Sequence, residues 1–140
     1  MSGAVQLTFD IDGEDFTRAG EASAEVKRTL KKIGMNPEMI RRVAIALYEG
    51  EINMVIHADG GVITVDIFSD RINLKLKDKG PGIEDVELAM KEGYSTAPAE
   101  VRSLGFGAGM GLSNMKKYTD EMKIETEMGV GTTVTMAVYL

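Results

Sequence analysis

Cysteine and tryptophan are absent from this chain of 140 residues, and histidine occurs once, as His57. The lack of cysteine excludes disulfides, thiolate metal sites and a cysteine nucleophile, and a lone histidine argues against a zinc site. No apolar run reaches the roughly 18 residues that a membrane span requires, and the polar segment after Met1 lacks the pattern of a signal peptide. We therefore expect a cytoplasmic protein that does not enter a membrane.

Positive charge is also scarce, because 16 Lys and Arg face 22 Asp and Glu for a formal net charge of -6. Direct nucleic-acid binding is disfavoured, since it relies on clustered basic side chains. The length suits one domain with a single hydrophobic core. We expect residues 1–140 to form one domain.

The hydrophobic pattern changes between the period of a strand and that of a helix along the chain. Alternation predicts strands over residues 4–13, 62–69, 71–78, 121–128 and 131–140, the middle and last pairs forming hairpins. Helical spacing predicts helices over 16–33, from about 36 to near 59–61, over 83–93 and over 110–119. Residues 94–109 are rich in Gly and Ala, which is typical of a loop or flexible lid. The predicted fold class is α+β, a two-layer sandwich in which about three helices cover one face of a mostly antiparallel sheet.

The second predicted helix carries Glu49 and Asn53, which lie four residues apart and therefore on one face. Such a pair is often only the exposed edge of a helix. A carboxylate beside an amide also suits a site that holds a metal ion, water and phosphate. The pair alone does not decide between these interpretations.

Two glycine-containing segments follow. Asp78 comes at a strand end before Gly80 and Gly82, where it either holds backbone amides in an Asx-turn or accepts a hydrogen bond from a flat ligand such as adenine. The segment Gly105–Gly111 leads into a helix, where free N–H groups favour phosphate, although a flexible hinge has the same composition.

In this order, the motifs resemble the N, G1 and G2 boxes of the GHKL ATPases, which share the Bergerat (histidine-kinase-like) nucleotide-binding fold. They are Glu49-x-x-x-Asn53, Asp78-x-Gly80-x-Gly82, alternating glycines from Gly105 to Gly111, and Gly131-Thr132. The resemblance extends over residues 16–140. It implies an ATP-binding domain of that fold.

Within this superfamily the chain most resembles the bacterial anti-sigma factor serine/threonine kinases, through EGEINMVIH at 49–57 and GAGMGLSNMKKYTD at 107–120. This resemblance implies ATP and Mg²⁺ as ligands, an anti-sigma antagonist protein as phosphoryl acceptor, control of a sigma factor, and a homodimer. It assigns Glu49 as the catalytic base, Asn53 as the Mg²⁺ ligand, Asp78 as the reader of the adenine amine, and Thr132 as its helper through water. The remaining nucleotide-binding residues that it implies are Gly80, Gly82, Gly107, Gly109, Gly111 and Leu112.

The chain departs from the family pattern at Gly50 and Glu51, where small or neutral residues are more common. We expect Glu51 either to disturb the Mg²⁺ site or to point into solvent. Arg18 resembles an Arg that contacts phosphate or partner, Arg102 is either a phosphate clamp or a solvated loop residue, and His57 is expected to pack or to end its helix.

Two other functions stay open at this point. The chain can be a nucleotide-gated module that captures a partner with little or no catalysis. It can also be a detached histidine kinase catalytic domain, although no helical hairpin with a phosphoacceptor His precedes the motifs in this sequence. We rank the anti-sigma factor serine/threonine kinase first and the detached histidine kinase domain last.

Overall fold

The computed structural model describes residues 5–12, 20–57, 60–80, 82–83, 90 and 111–140. These residues form five strands and three helices. In chain order they are β1 (Val5–Asp12), α1 (Glu21–Ile33), α2 (Pro37–His57), β2 (Gly60–Ile67), β3 (Arg71–Asp78), α3 (Gly111–Lys117), β4 (Glu121–Glu127) and β5 (Gly131–Tyr139).

The strands form one sheet in the order β1-β2-β3-β5-β4, and each described pair is antiparallel. Alternate residues of the central strands are buried, such as Val65 on β2 and Leu74 on β3, while Lys75 is exposed. The alternation places one apolar face of the sheet toward the helices and a polar face toward solvent. The predicted α+β fold is therefore confirmed, as are both hairpins.

The helices cover the apolar face of the sheet and supply the other half of the core. α1 buries Val26 and Leu30, α2 buries Val43 and Leu47, and α3 buries Met115. These side chains form one hydrophobic cluster with those of the central strands. Burial of this contiguous apolar surface is the main stabilising contribution to the fold.

The predicted boundaries of α1 are partly wrong. The helix ends at Gly34 as predicted, but it begins at Glu21 because Gly20 is its N-cap, outside the helix. Residues 16–19 of the predicted helix lie outside the described residues. Ile33, the last residue of the helix, is 53% exposed.

α2 begins where the sequence predicts, since the side chain of Asn36 accepts a hydrogen bond from the backbone N–H of Glu38 at 2.8 Å. Its predicted end is slightly late. Gly60 and Gly61, expected to stop the helix, are the first residues of β2 and pair with β1.

Two predictions fall almost wholly on residues that the structure does not describe. They are the helix over 83–93 and the lid over 94–109, and both stay predictions. Among the described helices, none has both the length and the apolar character needed to cross a membrane.

Candidate nucleotide-binding and active site

Glu49 lies in the middle of α2 and is tied to α3. Its Oε2 accepts a hydrogen bond from Nδ2 of Asn114 at 2.6 Å, and both side chains are half-buried. A bond to a charged acceptor is stronger than one between neutral groups, so this contact holds the carboxylate in one orientation. Asn53 follows one turn later on the same helix and is also half-buried. The pair is thus more than an exposed helix edge.

Asn114 was not among the residues predicted for the site. The sequence does contain a signal for Asn114. The core-facing positions of this helix are Leu112, Met115 and Tyr118, so the polar Asn114 is on another face of the helix. Asn114 lies off that stripe, in the first turn after the glycine-rich segment. Its partner depends on how α3 crosses α2, which no local pattern reveals.

Gly50 lies where α2 closely approaches β3 and α3. A Cβ atom at this position would overlap Cδ2 of Leu76 on β3 and lie 3.3 Å from Cε of Met115 on α3. A larger residue would require the ends of the Leu76 and Met115 side chains, or the helix itself, to shift. Glycine in a helix interior lowers helix stability by about 1 kcal/mol relative to Ala. At this position it also permits close packing against β3 and α3.

Glu51 is neither solvent-exposed nor directed at a metal site, which corrects both expectations for it. The residue is 1% exposed, and its carboxylate accepts hydrogen bonds from three backbone N–H groups at the start of α1. The donors are Gly20 and Ala22, at 2.9 and 3.2 Å from Oε2, and Ser23, at 3.1 Å from Oε1. Because Gly20 has no side chain to cap the helix, α2 supplies the cap, and its negative charge faces the positive end of the helix dipole.

Asp78 is the last residue of β3, and two backbone N–H groups, one from the loop after it and one from β5, hold its side chain. Its Oδ1 accepts hydrogen bonds from the N–H of Gly80 at 3.0 Å and from the N–H of Thr132 at 2.9 Å. The Asx-turn interpretation is therefore correct. It does not exclude ligand binding, because no donor in the described part of the chain contacts Oδ2.

The turn between β4 and β5 packs against the loop that follows Asp78. Gly82 has a φ of 88°, and a Cβ atom there would lie 2.8 Å from the carbonyl oxygen of Glu127 and 3.0 Å from Cα of Met128. Only glycine combines that backbone conformation with so close an approach. Gly82 therefore lies directly against the turn.

Thr132 is 5% exposed, and its hydroxyl lies 2.9 Å from the hydroxyl of Thr126. The Thr126 oxygen also accepts a hydrogen bond from the N–H of Ile83 at 2.8 Å. Sequence reasoning missed Thr126. Its signal is the register of the predicted hairpin, since Thr126 is paired directly with Thr132.

The structure brings Asp78, Gly80, Gly82 and Thr132 together, and α2 presents Glu49 and Asn53. Other predicted site residues are placed only in part. Gly111 opens α3 and the half-buried Leu112 packs against the core, while His57 is the last residue of α2. The remaining four lie outside the described residues, namely Arg18, Arg102, Gly107 and Gly109.

No group of three or more acidic or histidine side chains that could bind a metal occurs among the described residues. Asn53, the residue that the sequence predicts as a metal ligand, could supply one protein oxygen. That donor set fits an ion that takes its other ligands from water and from the phosphates of a substrate, as Mg²⁺ commonly does. The carboxylate of Asp78 is an acceptor that could bind the amine of a purine base.

An antiparallel sheet with helices on one face, an acid at the end of β3 and an acid-amide pair on α2 define an ATP-binding domain of the histidine kinase type. The chain belongs to the family described as histidine kinase-like ATPase domain, whose model matches residues 13–138.

The chain is similar to curated proteins with two kinds of name. It is 37% identical to an anti-sigma F factor of Caldanaerobacter subterraneus over 74% of this chain and 72% of that protein. It is 30% identical to the serine/threonine-protein kinase RsbT of Bacillus subtilis over 77% of this chain and 78% of that protein. Membership of this family supports ATP as the ligand.

A solved structure agrees with the fold. The RsbU and RsbW domains of Rv1364c from Mycobacterium tuberculosis match with a TM-score of 0.66 and 18% identity. The match covers 96% of this chain but 32% of that one, so this chain spans about a third of its length. The likeness establishes the architecture that the sequence predicts.

Proposed function

We propose that the protein is an ATP-dependent anti-sigma factor kinase, which phosphorylates a serine or threonine of an anti-sigma antagonist and so controls a sigma factor. The observation that carries the proposal is the fixed Asp78 carboxylate on the sheet together with the Glu49 and Asn53 pair on α2. The relatives named anti-sigma F factor and serine/threonine-protein kinase support the same activity.

In this proposal Asp78 selects the base. Two backbone amides orient its carboxylate, so Oδ2 can accept a hydrogen bond from the exocyclic amine of adenine without further rearrangement. Gly80 and Gly82 let the flat ring approach the backbone. Thr132 assists from the neighbouring strand, through a water molecule where the distance requires one.

At the other end of the nucleotide, Glu49 takes the proton from the hydroxyl of the acceptor serine or threonine. Its Oε2 is held by Asn114, which leaves Oε1 for that proton. Asn53 would hold the Mg²⁺ ion, and the segment with Gly107, Gly109, Gly111 and Leu112 would contact the phosphates. Bound ATP supplies the phosphoryl group. The contribution of the chain is positioning and charge stabilisation, which dominate catalysis of phosphoryl transfer.

Nucleotide binding is the first part to test. Calorimetric titration of ATP and of ADP with Mg²⁺ should give saturable binding to the wild type, and Asp78→Asn should abolish it because an amide NH₂ would face either the backbone amides or the adenine amine. GTP is the control ligand. Absence of ATP binding to a folded wild type would refute the proposal.

Phosphoryl transfer is the second part. Proteins that the immobilised chain retains from a lysate of its own host are incubated with Mg²⁺-ATP and then analysed by mass spectrometry. We expect one of them to gain a phosphate on serine or threonine with the wild type but not with Glu49→Gln. The same variant should keep its ATP affinity, because Glu49 does not contact the base in this scheme.

A nucleotide-gated binding module is the second candidate, and one observation favours it. The Asn114 bond already occupies one oxygen of Glu49, so the carboxylate can act as a structural tie between α2 and α3. A Glu49→Ala variant that captures its partner in a nucleotide-dependent manner, combined with a wild type that transfers no phosphate, would support this module over the kinase.

The proposal also carries the expected partners and location. A sigma factor acts on RNA polymerase inside the cell, so the proposed activity requires a cytoplasmic protein. A homodimer is expected on the basis of the family resemblance. Sedimentation at several protein concentrations tests it.

A further inference from the structure

We propose that one end of the helical layer is a docking surface for an acidic segment of a partner protein. This helix-end surface is formed by the end of α1, the start of α2 and the end of α3. Its six cations are Lys31, Lys32, Arg41, Arg42, Lys116 and Lys117. They are more than a third of the 16 Lys and Arg in a chain whose formal net charge is -6.

The packing of the helices brings these cations to the same end of the layer. Only residues 34–36 separate α1 from α2, so the two helices form a hairpin and the end of α1 lies beside the start of α2. α3 is also antiparallel to α2. Its Asn114 bonds to Glu49, whereas Nε of Arg42, seven residues earlier on α2, donates to the carbonyl oxygen of Tyr118 at 3.2 Å, just after α3 ends.

The ring of Tyr118 joins two of the helices at this surface. The guanidinium carbon of Arg41 lies 5.5 Å from the ring centroid, and Nζ of Lys117 lies 5.6 Å from it. Cations at such distances from an aromatic ring are attracted to it. Two positive charges from different helices are therefore held beside one half-buried ring.

The acids at this surface neutralise the arginines but not the lysines. Glu38 pairs with Arg41 at 2.8 Å, and Asp120 lies 3.9 Å from Arg42. The four lysines are exposed, and none of them forms an ion pair with any residue that the structure describes. The surface therefore keeps a positive charge although the chain as a whole is acidic.

Helix dipoles account for only part of this arrangement. The lysines lie in the last turns of α1 and α3, where a cation stabilises its own helix. Arg41 and Arg42 lie near the start of α2, the positive end of that helix, where the dipole does not favour a cation. The concentration of charge from all three helices thus exceeds what the helix ends require.

The apolar neighbour of the lysines indicates the kind of partner. Ile33 follows Lys32 directly and is 53% exposed. A peptide can offer both acids for the lysines and an apolar side chain for Ile33, whereas a phosphate backbone offers only charge. One exposed isoleucine is also too small an apolar face for a helix that binds in a membrane interface. An acidic peptide segment therefore fits this surface best.

The helix-end surface is separate from the proposed nucleotide site. Glu49 is eight residues after Arg41, which corresponds to about 12 Å along the axis of α2. An acidic segment bound here would leave the nucleotide site accessible. The inference consequently does not depend on the proposed ATP-binding function.

The probe is a fluorescein-labelled peptide in which one leucine is flanked by runs of glutamate. Fluorescence anisotropy measures its binding at low salt and at about 0.15 M salt. Glutamine keeps the length and the helix propensity of lysine without its charge. The two test variants are Lys31→Gln with Lys32→Gln, and Lys116→Gln with Lys117→Gln.

The matched control is Lys75→Gln with Lys77→Gln. It removes the same charge from two exposed side chains of β3, outside the helix-end surface, so it separates local contacts from the effect of net charge. Circular dichroism confirms that each variant is folded. Calorimetric titration of ATP with Mg²⁺ into the same variants should give the affinity of the wild type.

We expect each test variant to weaken peptide binding roughly five- to tenfold at low salt, because it removes two exposed charge contacts. The control should change the affinity less than about twofold, and 0.15 M salt should weaken binding to the wild type. A folded wild type that does not bind the peptide, or a control that weakens binding as much as the test variants, would overturn the inference.

Two other ligands complete the test. Tighter binding of single-stranded DNA or of phosphatidylglycerol vesicles than of the peptide, through the same lysines, would also overturn the inference and make the surface a nucleic-acid or membrane contact. A wild type that binds the peptide but not ATP would refute the proposed function alone. One that binds ATP but not the peptide would refute this inference alone.

Discussion

Replacement of Glu51 by glutamine tests the most unusual contact in the fold. The side chain keeps its size, but one carboxylate oxygen becomes an NH₂ group. That group must face either the N–H of Ser23, or those of Gly20 and Ala22. In both orientations at least one buried amide loses its acceptor and meets another donor.

The cost follows from the number and kind of bonds lost. A hydrogen bond to a charged group contributes about 1.5–3 kcal/mol. The favourable charge at the helix N-terminus adds about 0.3–1 kcal/mol. With at least one such bond and the charge removed, we expect Glu51→Gln to lower the free energy of unfolding by roughly 2–4 kcal/mol. For a chain of this size that is a fall in Tm of roughly 6–15 °C.

Urea unfolding followed by far-UV circular dichroism measures this change directly. The midpoint should fall while the slope m stays constant, since the surface exposed on unfolding does not change. Glu121→Gln is the matched control, because Glu121 is exposed at the start of β4 and should change stability by less than about 0.5 kcal/mol. A Glu51→Gln variant as stable as this control would refute the capping argument.

Two further substitutions test the surroundings of Glu49. Gly50→Ala should destabilise by roughly 1–2 kcal/mol in urea unfolding, because overlap with Leu76 outweighs the gain in helix propensity; a more stable variant would contradict the close approach of α2 to β3. Asn114→Leu keeps the approximate shape but removes the donor to Glu49, so kinase turnover should fall while the ATP dissociation constant stays within about threefold, and an unchanged turnover would show that the bond has no part in catalysis.

The sheet was predictable because strand periodicity is local information. Alternation in VITVDIFS and RINLKLKD is enough to predict β2 and β3, since every second side chain must face the core. The same logic predicted the closing hairpin. Its register then follows from the short turn, and the register places Thr126 opposite Thr132. The sequence therefore contained the information for this pair, although motif reasoning did not use it.

The role of Glu51 could not be predicted in this way. Its hydrogen-bond partners lie 28 to 31 positions earlier in the chain, and the contact exists only because α1 packs against α2. The start of α1 was misjudged for the same reason. Local pattern treats Gly20 as part of a helix, whereas the carboxylate from α2 fixes the first turn after it. Tertiary contacts that satisfy helix ends override local preference.

Residues 49 to 51 of α2 each reach a different neighbour. Glu49 contacts α3, Gly50 contacts β3, and Glu51 contacts α1. The Gly50 contact has a particular consequence, because its partner Leu76 lies two residues before Asp78 on β3. The helix that carries the proposed base is thus in van der Waals contact with the strand that carries the proposed adenine reader. A larger residue at Gly50 would require Leu76 or α2 to shift, so we expect it to lower stability and to weaken ATP binding at the proposed site together.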